Sequence, residues 1–187
     1  MPIRTEGRTC MLEYATVECD WGVAGFVCSG RGLCGLLLPE SGVTAVRRWV
    51  QHTWPDARFN PRLAPSLQHA IRAYFAGQRV TFPIRVDLDA MSPFQRAVLQ
   101  ACRRIPYGQR VTYGELARRV GRPQAARAVG GVMARNPIPL VIPCHRVIAG
   151  DGSLGGFSAR RGVAVKKRML AMEDAGSCTA AGRRTER

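Results

Sequence analysis

The sequence predicts a mixed α/β protein of α+β type. A small N-terminal α/β part with a short antiparallel sheet precedes a mostly helical C-terminal part that carries a helix-turn-helix. Three observations predict this. Glycine-punctuated, β-branched segments fill residues 11–38, and helix-period apolar spacing with start and stop signals fills residues 92–135. Charge divides at the same place. Residues 1–91 carry ten Arg and eight Asp/Glu, a balance of +2, whereas residues 92–187 carry eighteen Arg/Lys and five Asp/Glu, a balance of +13, summing to the net +15.

Met11–Leu38 reads as short strands broken by turns at Gly22, Gly25, Gly30, Gly32 and Gly35. Its early part alternates, with Leu12, Tyr14 and Thr16 on one face. Val43–Trp54 is predicted as a helix because Val43, Val46, Trp49 and Val50 recur at helical intervals. Pro55–Pro65 holds three prolines and reads as an irregular connection. Leu67–Phe75 is a second helix stopped by Gly77, and Val80–Leu88 reads as a further strand. The boundary falls at Asp87–Met91, which gives an N-terminal α/β domain over 1–91.

Beyond it, Ser92-Pro93-Phe94-Gln95 is a capping box with proline at the first helical position. The helix carries Phe94, Val98, Leu99 and Cys102 on one face and ends before the Pro106-Tyr107-Gly108 turn. Thr112–Val120 and Pro123–Arg135 are predicted as two helices around Gly121, a helix-turn-helix pattern. Gly130-Gly131 lies midway along the second. Glycine costs about 1 kcal/mol in a helix interior relative to alanine, so a close neighbour is expected there: a nucleic-acid backbone, or simply another element of the protein. Asn136-Pro137-Ile138-Pro139 starts an irregular apolar stretch, Ala149–Gly156 is a Gly-rich loop, and Val163–Met172 is a closing helix. The C-terminal domain spans 92–176, and 177–187 reads as a disordered basic tail.

Composition narrows the function classes. Hydrophobic residues make up 46% of the 187, enough for a real core. The basic half points to a polyanionic partner, nucleic acid before acidic membrane. No run is apolar enough to span a bilayer. Seven cysteines, an odd number without CxxC or an N-terminal secretory segment, point to a reducing compartment and a cytoplasmic protein.

The hexapeptide Ile142-Pro143-Cys144-His145-Arg146-Val147 is the chemically loaded segment. A thiol attacks as thiolate, and basic neighbours favour that form. From these residues alone Cys144 could be a hydrolase nucleophile, a metal ligand, a group acceptor or a buried small hydrophobe. Cys/His spacing around it does not match a zinc site. On a strand, Cys144 and His145 would point to opposite faces, so contact between them would need a turn or a bridging water.

The wider pattern resembles the O6-alkylguanine-DNA alkyltransferase family (methylated-DNA–protein-cysteine methyltransferases). The resemblance runs through Phe94–Val98, Val111–Ala117, Ala125–Met133, Asn136–Pro139, Ile142–Val147, Gly152–Ser158 and Leu170–Glu173. It implies a ribonuclease H-like N-terminal domain and a winged-helix-like helix-turn-helix. It further implies repair of O6-alkylguanine, and more weakly O4-alkylthymine, by irreversible single-turnover transfer of the alkyl group to Cys144. The lesion would be flipped out of double-stranded DNA approached through the minor groove. A protein that is monomeric in solution and able to bind DNA cooperatively is expected, in the cytoplasm with the nucleoid, or in the nucleus of a eukaryote.

The resemblance also assigns roles. Arg127 fills the space left by the flipped nucleotide, while Ala126, Ala128, Gly130 and Gly131 allow close approach to the groove. Tyr113 contacts the neighbouring phosphate and assists proton transfer to the base. His145 takes the Cys144 proton through a water, Glu173 orients His145, and Asn136 braces the active-site turns. Val147, Phe157, Ser158 and Met133 line the substrate pocket, with backbone at Cys144 and Val147 reading the guanine edge and Ser158 donating to O6. Arg146 is expected to be structural.

Two departures from the family pattern stand out: Phe157 replaces the usual tyrosine, and Ala159-Arg160-Arg161-Gly162 replaces a glycine pair. The first loses a hydroxyl contact, and the two arginines of the second predict reduced tolerance of bulky O6 groups such as benzyl. No cofactor is expected. Some relatives hold zinc in the N-terminal domain, but Cys10, Cys19, Cys28, Cys34, His52 and His69 lack the spacing for it. The competing readings are a DNA-binding lesion sensor without transfer, against which the presence of Cys144 speaks, and a cysteine hydrolase, which the basic helix-turn-helix disfavours.

Overall fold

The computed structural model describes residues 11–40, 42–154 and 162–182. They form two compact units: the chain up to Ala76 with Val80–Ala90, and Gly77–Arg79 with the chain from Met91 onward.

In the first unit, β1 (Glu13–Cys19), β2 (Gly22–Ser29) and β3 (Gly32–Glu40) form an antiparallel meander. Each hairpin closes with two residues, Asp20-Trp21 and Gly30-Arg31, and Gly22 and Gly32 follow at φ 120° and 142°, values an L side chain rarely adopts. The helix α1 (Val43–Thr53) packs Val46 and Val50 against Val27, Leu12 and Tyr14. Gly25 and Gly35 make room for it: a Cβ at Gly25 would land on Val46 Cγ1, and one at Gly35 on the Trp54 ring. The other set of strand residues, including Ala15, Val17, Ala24 and Phe26, is fully buried, and α2 (Pro65–Phe75) packs on β1. Two expectations need correction. Pro55–Pro65 contains a short edge strand, β4 (Arg58–Phe59), parallel to β1 and placing the sheet in the order β3-β2-β1-β4. Val80–Leu88 is not a strand. It meets β3 only around Leu33, through a single bridge to Val86, and Pro83 interrupts it without an N–H to give.

The second unit is built on α3 (Pro93–Arg103), α4 (Tyr113–Arg119), α5 (Ala126–Ala134) and α6 (Gly162–Gly182). Capping boxes start α3 at Ser92/Gln95 and α4 at Thr112/Glu115. Gly121, at φ 70°, ends the turn after α4. The second helix of the helix-turn-helix begins at Ala126, not at Pro123; Arg122–Ala125 forms a turn closed by Ala125 N–H donating to Arg122 O at 2.9 Å. The closing helix also runs beyond the expected Met172, to Gly182, so residues 177–182 are helical rather than a disordered tail. Residues 183–187 lie outside the described residues. Strand β5 (Val111–Thr112) pairs in parallel with β6 (Val147–Ile148), tying the start of α4 to the segment that follows the cysteine. Among the described residues no helix is long and apolar enough to cross a membrane.

Candidate active site

Cys144, His145 and Arg146 form one turn of 3₁₀-helix, not a strand. At three residues per turn, successive side chains diverge by about 120°, so the opposite-face objection to a Cys144–His145 relay disappears. All three are buried. The path into the turn is constrained. Leu140 is held at φ 76°, Ile142 N–H donates to Ile138 O at 3.0 Å, and Cys144 N–H donates to Ile142 O at 2.8 Å. Asn136 locks this bend from inside. Its Nδ2 donates to Ile142 O at 2.8 Å and its Oδ1 accepts from Ile138 N–H at 3.1 Å, in a site only 5% exposed.

Glu173 is the hub. One oxygen lies 2.8 Å from His145 Nε2 and also accepts from Arg146 NH2 at 2.8 Å, while the other accepts from Arg146 Nε and Gly108 N–H, both at 3.0 Å. Arg146 is spread further between the Ile105 carbonyl, at 2.7 Å, and the Tyr107 ring. A carboxylate and histidine this deep would be costly without such partners. Burial pushes the Glu173 carboxyl up, but hydrogen bonds from His145 and Arg146 and their charges override it and hold Glu173 well below the usual carboxylate range. For His145 burial wins over the pull of Glu173, so its pKa is lowered and the ring is neutral. A neutral imidazole facing an ionised carboxylate carries its proton on Nε2, which leaves Nδ1 as the basic nitrogen.

Tyr113, the first residue of α4, is half-buried beside this turn. Burial raises its pKa, and the Cys144 and Cys102 thiols add to the rise. Val147 and Met133 are buried next in line. Arg127 and Ala128 are exposed on α5, with Ala126, Gly130 and Gly131 half-exposed. Among the described residues, nothing in the packing requires either glycine. A Cβ at Gly130 would meet only Tyr113 ring carbons, at 3.9 Å or beyond, and one at Gly131 only the tip of Arg135. Phe157, Ser158, Arg160 and Arg161 lie outside the described residues.

Sequence reasoning missed Lys166. It is completely buried on α6, donates to the Val147 carbonyl at 2.6 Å and to the Leu154 carbonyl, and stands over the Tyr113 ring. The available signal was its place in the stripe Lys166, Met169, Leu170, Glu173, which repeats at helical intervals on one buried face. In the N-terminal unit, burial pushes the Cys28 and Cys34 thiols up to about 11 and about 12, which makes them protonated small hydrophobes. Among the described residues no group of three His, Cys, Asp or Glu could hold a metal, and Cys10 lies outside them.

Residues 93–175 match the family profile described as 6-O-methylguanine DNA methyltransferase, DNA binding domain. The methylated-DNA–protein-cysteine methyltransferase of Mycolicibacterium paratuberculosis is 39% identical over 87% of this chain and 93% of its own. The chain belongs to the methylated-DNA–protein-cysteine methyltransferase family. Within that family, it is also 35% identical over 91% of its length to the bifunctional transcriptional activator/DNA repair enzyme Ada of Escherichia coli, of which it spans only 48%. Among solved structures, Mycobacterium tuberculosis OGT in complex with DNA superposes with a TM-score of 0.75 at 32% identity, over 88% of this chain and 94% of that one. The α+β architecture of the family is thus the architecture found here.

Proposed function

We propose that this protein repairs DNA by direct damage reversal. It moves the alkyl group of O6-alkylguanine, and more weakly of O4-alkylthymine, irreversibly onto Cys144. The observation that carries the reading is the buried Cys144 turn, whose next two residues both grip Glu173, in a chain of this family. His145 Nδ1 accepts the thiol proton through a water, while Glu173 holds the tautomer and stabilises the imidazolium that forms. The Cys144 sulfur then attacks the alkyl carbon in line, a C–S bond forms, and the C–O6 bond breaks with its electron pair going to guanine. Tyr113 assists protonation of the departing base, and the backbone N–H of Ser158 steadies negative charge on O6. Val147, Met133 and Phe157 line the pocket, and Asn136 keeps its turns in place. The thioether is stable, so each molecule acts once.

DNA docks on the helix-turn-helix through the minor groove. Arg118, Arg119, Arg122, Arg127 and Arg135 are all exposed on α4, the turn and α5, the placement that phosphate contact needs. The two glycines, which no packing among the described residues demands, let the groove approach α5, and Arg127 takes the place of the flipped nucleotide. The protein works as a monomer that can bind DNA cooperatively, in the cytoplasm with the nucleoid or in a eukaryotic nucleus. Arg160 and Arg161, which depart from the family pattern, disfavour benzyl relative to methyl groups, and comparable rates on the two would contradict that preference.

The reading is tested by counting lesions. A duplex bearing O6-methylguanine is titrated with the protein and its nucleosides are quantified. Guanine should be restored to a plateau of one lesion per protein. Binding without restoration would identify a sensor instead, and continued turnover would exclude a one-use acceptor.

A further inference from the structure

Of the 28 basic residues only Lys166 and Lys167 are lysines. Lys167 is exposed, whereas Lys166 is fully buried. Elsewhere the chain meets its need for positive charge with arginine, whose guanidinium never loses its proton in a protein. The buried position instead holds the cation that is compact and can titrate.

The surroundings of Lys166 are unusual for a buried charge. Its hydrogen bonds go to two neutral carbonyls, Val147 O and Leu154 O, and its third neighbour is the Tyr113 ring. Among the described residues no carboxylate forms an ion pair with it. Glu173, one helical repeat further along α6, is committed to Arg146 and His145, so that trio is already neutral: one carboxylate, one guanidinium and an uncharged imidazole. Lys166 is left with one uncompensated positive charge. The groups facing it that can become anionic are the Cys144 thiol on the 3₁₀ turn, the Cys102 thiol on α3 and the Tyr113 phenol on α4. The Arg146 guanidinium and the uncharged His145 ring lie on the same turn as Cys144. Cys102 is held protonated: burial raises its pKa well above the ordinary thiol value, and the facing Cys144 adds to that. Burial and Cys144 raise Tyr113 in the same way. The anion that completes this site is the Cys144 thiolate.

We propose that Lys166 is a positioning residue and the counter-ion of the Cys144 thiolate, straddling the Val147 and Leu154 carbonyls so that the Gly-rich loop is tied down near both ends. Transfer consumes the thiolate and leaves a neutral thioether, so repair also removes the partner of the buried ammonium. Burial pushes Lys166 down to about 8, with both facing thiols pulling the other way. The inference rests on the alkyl-acceptor reading only for its use in repair; the pairing itself forms whenever Cys144 is ionised, with or without DNA.

Two measurements on the full chain test it. With ¹⁵N-labelled lysine only two side-chain signals are expected, and exposed Lys167 serves as the internal control. The Lys166 pKa should fall by about one unit in Cys144→Ser, since an opposite charge at close range is worth about 1–3 units. Equal values in the two proteins would overturn the proposal. Second, the rate of Cys144 modification by iodoacetamide, followed by peptide mapping, is recorded against pH for Lys166→Met. Its midpoint should rise by about one pH unit or more, and transfer from O6-methylguanine should slow about tenfold, while affinity for undamaged duplex stays within about twofold. An unmoved pH profile in folded Lys166→Met would reduce Lys166 to a loop brace. If Lys166→Met does not fold, the lysine titration in Cys144→Ser still decides. If wild type shows the paired titration but no transfer to DNA, the ion pair stands and the repair reading fails.

Discussion

His145 Nε2 and Glu173 Oε1 lie 2.8 Å apart in a pair that is at most 1% exposed, and the same carboxylate is held by Arg146 and the Gly108 N–H. The carboxylate is therefore a fixed anion and not a proton acceptor: its pKa is held low, and it fixes the His145 ring through Nε2.

Glu173→Gln should slow transfer by about 10²-fold or more, the scale of losing a well-placed base, with undamaged-DNA affinity kept. The pH dependence of stability has a defined sign. Both folded-state pKa values are depressed, so the unfolded chain binds more protons below the ordinary values. The contribution of this pair is complete above about pH 6.5, falls first as unfolded-state histidine protonates, and falls further below about pH 4.5 as the carboxyl does. Thermal unfolding midpoints measured across this range should flatten below about pH 4.5 in Glu173→Gln relative to wild type.

Asn136→Ala removes both side-chain bonds that brace the Ile138–Ile142 bend and strands the buried Ile138 N–H, while the Ile142 carbonyl keeps only the Cys144 N–H. A loss of about 2–4 kcal/mol in urea unfolding is expected. Cys144 reactivity should fall along with stability, because the bend carries the 3₁₀ turn.

The glycines separate stability from function. Gly130→Ala should stabilise the protein by up to about 1 kcal/mol, since alanine is the better helix former and its methyl meets only ordinary contacts. Affinity for duplex DNA should nevertheless fall. Gly25→Ala should do the reverse, unfolding the sheet–helix contact with Val46. Parallel melting and DNA-binding measurements on the two variants would show whether the signs separate.

Arg127→Ala touches an exposed side chain and should change stability by less than about 0.5 kcal/mol. Single-turnover transfer should fall about 10- to 100-fold, the scale of one lost stacking contact.

Much of this was legible in the sequence where a local rule was strong. The Ser92 capping box, Gly121 and the apolar spacing of α1 locate their elements to within a residue or two. Local rules failed where tertiary pairing decides. Val80–Leu88 alternates as a strand does, yet Pro83 and a partner offered only at Leu33 leave one bridge. Arg58–Phe59 becomes a strand only because β1 is beside it. Residues 177–182 looked like a polar tail but continue the alanine-containing helix α6. In the site, Cys144 and His145 announce themselves by type. Glu173 and Lys166 look like ordinary helix residues until their shared buried stripe with Met169 and Leu170 is traced, and family resemblance supplied only the first of them.

The central claim is that Cys144 is a one-use alkyl acceptor. Intact-mass and peptide mass spectrometry after incubation with O6-methylguanine duplex tests it most directly. The account predicts a gain of one methylene, mapped to Cys144, complete in a single turnover and absent from Cys144→Ser. An unchanged mass beside tight lesion binding, or a methylene carried on any other residue, would contradict it.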